Sequence, residues 1–164
     1  LPALVALQEA ARQERNIEKF LEIIAADLPH DDIDAELEIE NARMRADYLR
    51  ETRLLTAAMV RERSGLRPHN KSEPASRWKR ERKIFAIRRE GIDLYPAFQF
   101  QDGSPRPVIK EVLSALPDGL SAWQIAFWFE SGNGWLDGAA PQQMLEQPNR
   151  VVEAARQFAT PAVG

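Results

Sequence analysis

Residues 77–100 read RWKRERKIFAIRREGIDLYPAFQF. The stretch opens on cations at helical spacing. It continues as two apolar runs, 83–88 and 92–95, on either side of Glu90-Gly91, which is the pattern of a β-hairpin with a two-residue turn. It closes on Tyr95-Pro96-Ala97-Phe98-Gln99-Phe100, where three rings and a proline read as a packing plug that anchors the hairpin to the downstream part of the chain. A helix from about 72 to 82 places Ala75 and Trp78 on its core side. Arg77, Lys79, Arg80 and Lys83 then surround that helix with positive charge.

Upstream, Leu54-Leu55-Thr56-Ala57-Ala58-Met59-Val60 opens a helix with Thr56 as its N-cap, and Ser64-Gly65 ends it. A loop follows through Leu66, Pro68 and Lys71, since Pro68 disfavours a helical Arg67. Ser72 caps the basic helix, with Glu73 and Pro74 in its first turn. Two short helices with a Gly-containing connection make a helix-turn-helix signal, although this connection exceeds the usual 3–4 residues. With the hairpin added, the arrangement is winged-helix-like.

Further upstream, residues 3–28 carry an apolar stripe from Leu4 and Leu7 through Ile17, Phe20, Leu21, Ile24 and Leu28. Gln13 and Asn16 interrupt it, and Pro29 ends it. A second amphipathic helix is expected over about 32–53, capped by Asp31 or Asp32, with Ile33, Leu37, Met44 and Tyr48 on one face. The two form an antiparallel hairpin. Its stripes are narrow, so it must pack on the rest of the chain or on a second copy, and a homodimer through this arm is expected.

Downstream, Asp102-Gly103 is a turn. A helix over 107–116 presents Val108, Val112, Leu113 and Leu116, and Pro117-Asp118-Gly119 breaks it. Ser121 caps a helix over 122–130 that is apolar on nearly all sides and so belongs at the centre of a C-terminal domain. After a turn at 131–134 and a turn or extended piece at 135–138, a short helix starts at Ala140-Pro141 and a last helix covers 150–159. The fold class is mainly α: an N-terminal helical hairpin (1–53), a helix-turn-helix-like segment with a short β-hairpin (54–96), and a compact helical C-terminal domain (97–164).

The 164 residues carry a net charge of −3 that hides a division. Residues 1–55 hold 7 Lys/Arg against 13 Asp/Glu, residues 56–100 hold 11 against 5, and residues 101–164 hold 4 against 7. A basic middle between acidic ends is an electrostatic footprint for nucleic acid. The candidate DNA-binding residues are Lys71, Arg77, Lys79, Arg80, Lys83, Arg88 and Arg89, the last two at a hairpin tip that reaches a phosphate or minor groove. The competing reading is a solvated cationic surface.

Other classes lose ground. The sequence has no cysteine and only two histidines, His30 and His69, so neither a disulfide scaffold nor a zinc site is expected. No apolar run approaches a membrane span of roughly 18–20 residues, and no signal-peptide pattern opens the chain. Leu1 in place of Met is expected of a trimmed sequence. A cytoplasmic location fits. There is no dinucleotide fingerprint, P-loop or nucleophile elbow. The acidic pairs at 31–40 read as an exposed helix start complementing the dipole. No enzyme and no cofactor are expected.

From Arg77 to Leu145 the chain resembles the Xre/MbcA/ParS antitoxin family. The match rests on Tyr95-Pro96-Ala97-Phe98-Gln99-Phe100, the helix over 107–116, Ala126-Phe127-Trp128-Phe129, and Asn133-Gly134-Trp135-Leu136-Asp137-Gly138 followed by Pro141 and Leu145. It covers about half the chain, and residues 55–65 and 78–87 resemble the family's DNA-binding part more weakly. The resemblance implies a DNA-binding antitoxin of a type II toxin–antitoxin system. Such a protein occludes a cognate toxin, commonly a RES-domain enzyme that consumes NAD, and represses its own operon through its operator. Carried over, the partner-binding positions are Asn133, Trp135, Leu136, Asp137, Gly138, Arg150, Glu153 and Arg156. The structural alternative has Gly134 and Gly138 serving turns and Leu136 the core. The long 66–73 loop and the arm depart from the family pattern. The alternatives in function are a stand-alone transcriptional regulator and a protein–protein adaptor without DNA binding.

Overall fold

The computed structural model describes residues 8, 9, 12, 15–17, 31–67 and 73–160. The expected first arm helix, its loop to the second, Ser72 and Lys71 lie largely or wholly outside the described residues; of that helix, Gln8, Glu9, Arg12 and residues 15–17 are helical.

The described chain is mainly helical with a small β part. Helix α1 (Asp31–Glu51) leads into β1 (Leu54–Leu55), α2 (Ala57–Ser64) and α3 (Ala75–Arg80). Strands β2 (Ile87–Arg89) and β3 (Ile92–Pro96) follow. A 3-10 turn, Ala97–Gln99, precedes β4 (Phe100–Gln101) and β5 (Ser104–Pro105). Helices α4 (Pro107–Ala115) and α5 (Ala122–Glu130), two 3-10 turns at Gly134–Leu136 and Pro141–Gln143, and α6 (Pro148–Ala159) complete it.

The hairpin forms where the pattern placed it, with Ile87 opposite Leu94, Arg88 opposite Asp93 and Arg89 opposite Ile92. Glu90 and Gly91 both take positive φ, 50° and 78°, as a tight two-residue connection between twisted strands demands. The first strand is shorter than expected: residues 83–86 are not in strand. A further correction falls on Leu54 and Leu55. They do not open α2 but form β1, antiparallel to β3, with Leu54 opposite Pro96 and Leu55 opposite Tyr95. Ala97 N–H donates to Arg53 O at 2.9 Å, extending the pairing. The sheet order is therefore β1-β3-β2.

Helix α2 starts where its cap predicts. The Thr56 hydroxyl accepts from Met59 N–H at 3.2 Å, and Gly65 ends the helix in the left-handed region. Helix α3 is shorter than the expected 72–82. It begins after the cis Glu73-Pro74 peptide, and Arg82, at φ 55°, turns the chain out of it. Helix α5 has the bounds its cap implies: Ser121 Oγ accepts from Gln124 N–H at 3.2 Å, and Gln124 Oε1 accepts from Ser121 N–H at 2.7 Å. The short helix after Ala140 is a single 3-10 turn, and the last helix starts two residues earlier than expected, at Pro148.

Two cores meet along residues 84–100. The larger gathers Val108, Ile109, Val112 and Leu113 of α4, Ala126, Phe127, Trp128 and Phe129 of α5, and Val151, Val152, Ala154 and Ala155 of α6. Each fully buried large side chain there contributes roughly 1.5–3 kcal/mol. The smaller holds Leu55, Val60, Ala75, Trp78, Ile84, Ala86 and Tyr95. Alternation decides the junction: Ile84 and Ala86 enter the smaller core, while Phe85 and Ile87 enter the larger. The aromatic plug divides likewise. Phe98 packs on Phe85 and Phe129, whereas Phe100 packs on Trp78.

The end of α1 is part of the larger core rather than a free arm. Tyr48 is buried, edge-on to Trp123 and Phe127 at 5.7 and 5.9 Å, and the Arg45 guanidinium lies 5.3 Å from the centre of the Trp123 ring. Ile33 and Ile39, nearer its start, are exposed.

Candidate functional site

The basic surface is built by α3 and the hairpin. Ala75 and Trp78 turn inward, so Arg77, Lys79 and Arg80 face outward by helical geometry. The structure adds what the charge count omitted: three carboxylates stand among the cations. Glu73 pairs with Arg77 at 3.8 Å and Arg80 at 3.4 Å. Glu81 takes Arg77 at 3.6 Å and Lys83 at 2.8 Å, and the Lys83 hydrogen bond holds its carboxyl below the usual range. Asp93 binds Lys79 through one oxygen at 2.7 Å and Arg88 through the other at 3.6 Å.

Six of the seven expected DNA-binding residues, Arg77, Lys79, Arg80, Lys83, Arg88 and Arg89, thus fall on α3, the turn after it or the hairpin, with Lys71 outside the described residues. Arg89 forms no ion pair among the described residues and stands opposite the exposed Ile92 at the hairpin tip. Sequence reasoning missed the acidic partners. A signal for one was present: a two-residue turn at 90–91 puts position 88 opposite 93, and opposite charges on facing strand positions attract. Arg82, left out of the basic set, donates from Nη2 to Leu113 O at 3.2 Å and ties the turn after α3 to α4.

The second cluster is the loop over 133–139. Asn133 organises it. Its side-chain oxygen accepts from Trp135 N–H at 2.9 Å, its carbonyl accepts from Leu136 and Gly138, and its N–H donates to Ala139 O at 3.0 Å. Asp137 and Gly138 take left-handed φ, 56° and 87°, so the chain reverses within seven residues. Trp135 is thereby held outward, 60% exposed. Leu136 points the opposite way, 1% exposed, so its expected place on a partner-facing surface is corrected: it packs in the larger core and has no surface to offer.

Helix α6 completes the cluster. Arg150 Nη2 reaches Asp137 Oδ2 at 2.9 Å, joining the helix start to the loop. Glu153 and Arg156 lie further along its exposed side and pair at 3.4 Å, and Gln157 with Arg156 holds the Glu153 carboxyl below its ordinary value. The structure brings Asn133, Trp135, Asp137, Gly138 and Arg150 to one place, and α6 carries Glu153 and Arg156 away from it.

No group of three His, Cys, Asp or Glu side chains among the described residues is arranged to hold a metal ion. A cleft of about 190 Å³ between Arg82, Phe85, Leu113, Leu120 and Ile125 is smaller than the roughly 300–1,000 Å³ usual for small-molecule sites. No helix among the described residues is long and apolar enough to cross a membrane. Compared with family models, curated proteins and solved structures, the chain finds no match.

Proposed function

We propose that the protein is a DNA-binding antitoxin of a type II toxin–antitoxin system. It neutralises a toxin by direct binding and represses its own operon as a dimer. The observation that carries the DNA half of this reading is topological. A strand, two helices and a hairpin, with sheet order β1-β3-β2, follow one another in the order expected of a winged helix, and the cations fall on the second helix of the pair and on the hairpin, which supports this reading. The toxin half rests on the loop over 133–139: an exposed tryptophan on a hydrogen-bonded scaffold beside an arginine is the make-up of a protein-binding anchor. A RES-domain toxin is the partner class the family resemblance supplies.

The pairing of the cations with Glu73, Glu81 and Asp93 favours a second reading, an adaptor whose mixed-charge surface meets a protein. Salt titration on DNA upstream of the protein's own gene separates the two. Phosphate neutralisation makes affinity fall steeply with salt, and Arg77→Glu, Lys79→Glu and Arg80→Glu together should abolish binding. Unchanged binding in that triple variant removes the DNA reading. For the toxin, co-expression with the neighbouring gene's product is the test. Trp135→Ala with Arg150→Glu should release toxicity without loss of fold, whereas deleting 131–164 would remove α6 and Leu136 from the core.

A further inference from the structure

We infer that Asp93 is a positioning residue that locks α3 and the hairpin into one reading surface and thereby sets how strongly the protein prefers one DNA sequence over another. The inference rests on the DNA-binding reading. Asp93 lies on β3, opposite Arg88 of β2, and its side chain is 22% exposed. One of its oxygens lies 2.7 Å from Lys79 Nζ and the other 3.6 Å from Arg88 Nη1. No other carboxylate among the described residues joins α3 to the hairpin: Glu73 and Glu81 pair only with cations of α3 and the turn after it.

A duplex reader needs its helix and its wing at a fixed separation, because sequence preference depends on several contacts made in register. Long flexible cations without such a clamp still neutralise phosphate, but on any sequence. Asp93 therefore has two opposed effects. It lowers the charge that the surface offers to any DNA, and it holds Lys79 and Arg88 where a matched site can use both at once.

Glu90 supplies the control. It sits at the hairpin tip at φ 50°, carries the same charge and forms no ion pair among the described residues. Asp93→Asn and Glu90→Gln each remove one negative charge, but only the first removes a clamp. The experiment measures binding of the full chain to two duplexes over a range of salt: the DNA upstream of its own gene, and a mixed-sequence duplex of equal length. For Asp93→Asn, mixed-sequence affinity should rise, the slope of log K against log salt should steepen by about 1–2, and the preference for upstream DNA should fall on the order of tenfold. Glu90→Gln should raise both affinities alike and leave the preference unchanged, and Asp93→Glu should restore most of it.

An equal loss of preference in Glu90→Gln and Asp93→Asn overturns the inference, since net charge alone would then explain the effect. So does an unchanged slope and preference in Asp93→Asn. If Asp93→Asn folds poorly, Asp93→Ser removes both ends of the clamp with a smaller side chain, leaves the DNA-facing cations in place and should lose preference as well. A wild-type chain that binds neither duplex overturns the DNA-binding reading itself, a result distinct from both.

Discussion

Gln99 shows how much one polar side chain settles. It is fully buried, between a turn and a segment that forms no strand. Its Oε1 accepts from Phe85 N–H at 2.8 Å, and its Nε2 donates to Phe85 O at 3.0 Å and Pro96 O at 3.2 Å. The side chain thus does for Phe85 what a neighbouring strand would do, satisfying both of its backbone groups. Phe85 can then project into the larger core while Ile84 and Ala86 project into the smaller. Gln99→Leu keeps the volume but leaves three backbone groups unpaired, and should cost roughly 3 kcal/mol in urea unfolding. Loss below about 1 kcal/mol would mean that water replaces the amide. In the sequence Gln99 was one polar letter in an aromatic plug; its partner lies fourteen residues away, so no local pattern marks it.

At the scale of elements, caps and turns were legible and long-range pairing was not. Thr56, Gly65, Ser121 and Glu90-Gly91 act within three or four residues of themselves, and each forms the boundary its chemistry demands. Leu54-Leu55 read as the opening of α2 because an apolar pair beside a good cap suits a helix as well as a strand. What makes it a strand is β3, about forty residues later. The turn at Asp102-Gly103 was also legible, but its second role was not. Gly103 has φ 80°, and a Cβ there would stand 2.2 Å from Arg63 O at the end of α2. The β4–β5 hairpin is thus seated against α2 through a bare backbone. Gly103→Ala combines a strained φ with a clash against backbone that cannot swing aside, and should lower stability by at least about 2 kcal/mol in thermal or urea unfolding. Gly91→Ala, with open space around it, should cost less, and equal losses at the two positions would discard the close-approach argument.

At the scale of the whole molecule, the docking of α1 on the larger core joins the acidic arm to the C-terminal helices. Docking brings Glu51 and Asp47 towards Glu130 at the end of α5. Burial first, and these two carboxylates second, raise the Glu130 carboxyl above its ordinary value. A raised acid binds its proton more tightly in the folded state than in the unfolded one. The folded state therefore loses stability as pH rises from the ordinary carboxylate value through the raised one, and keeps that loss at neutral pH. Glu130→Gln should raise the melting temperature near pH 7, with the gain fading to nothing below about pH 4, where both states hold the proton. A gain independent of pH would point to packing rather than charge.

The amino-acid sequence by itself determined what depends on neighbours a few residues apart: the helical class, the hairpin turn, the caps of α2 and α5, the amphipathic face of α4 and the basic cluster between acidic ends. Tertiary structure alone decided what depends on distant partners. It made Leu54-Leu55 a strand, sent Phe85 and Ile84 into different cores, gave Gln99 its backbone partners and buried Leu136 while presenting Trp135. It also set Glu73, Glu81 and Asp93 among the cations. The physical reason is range. Periodicity and capping are encoded within a turn or two of chain, whereas strand pairing, side-chain clamps and the choice of which ring is buried arise only when remote segments meet.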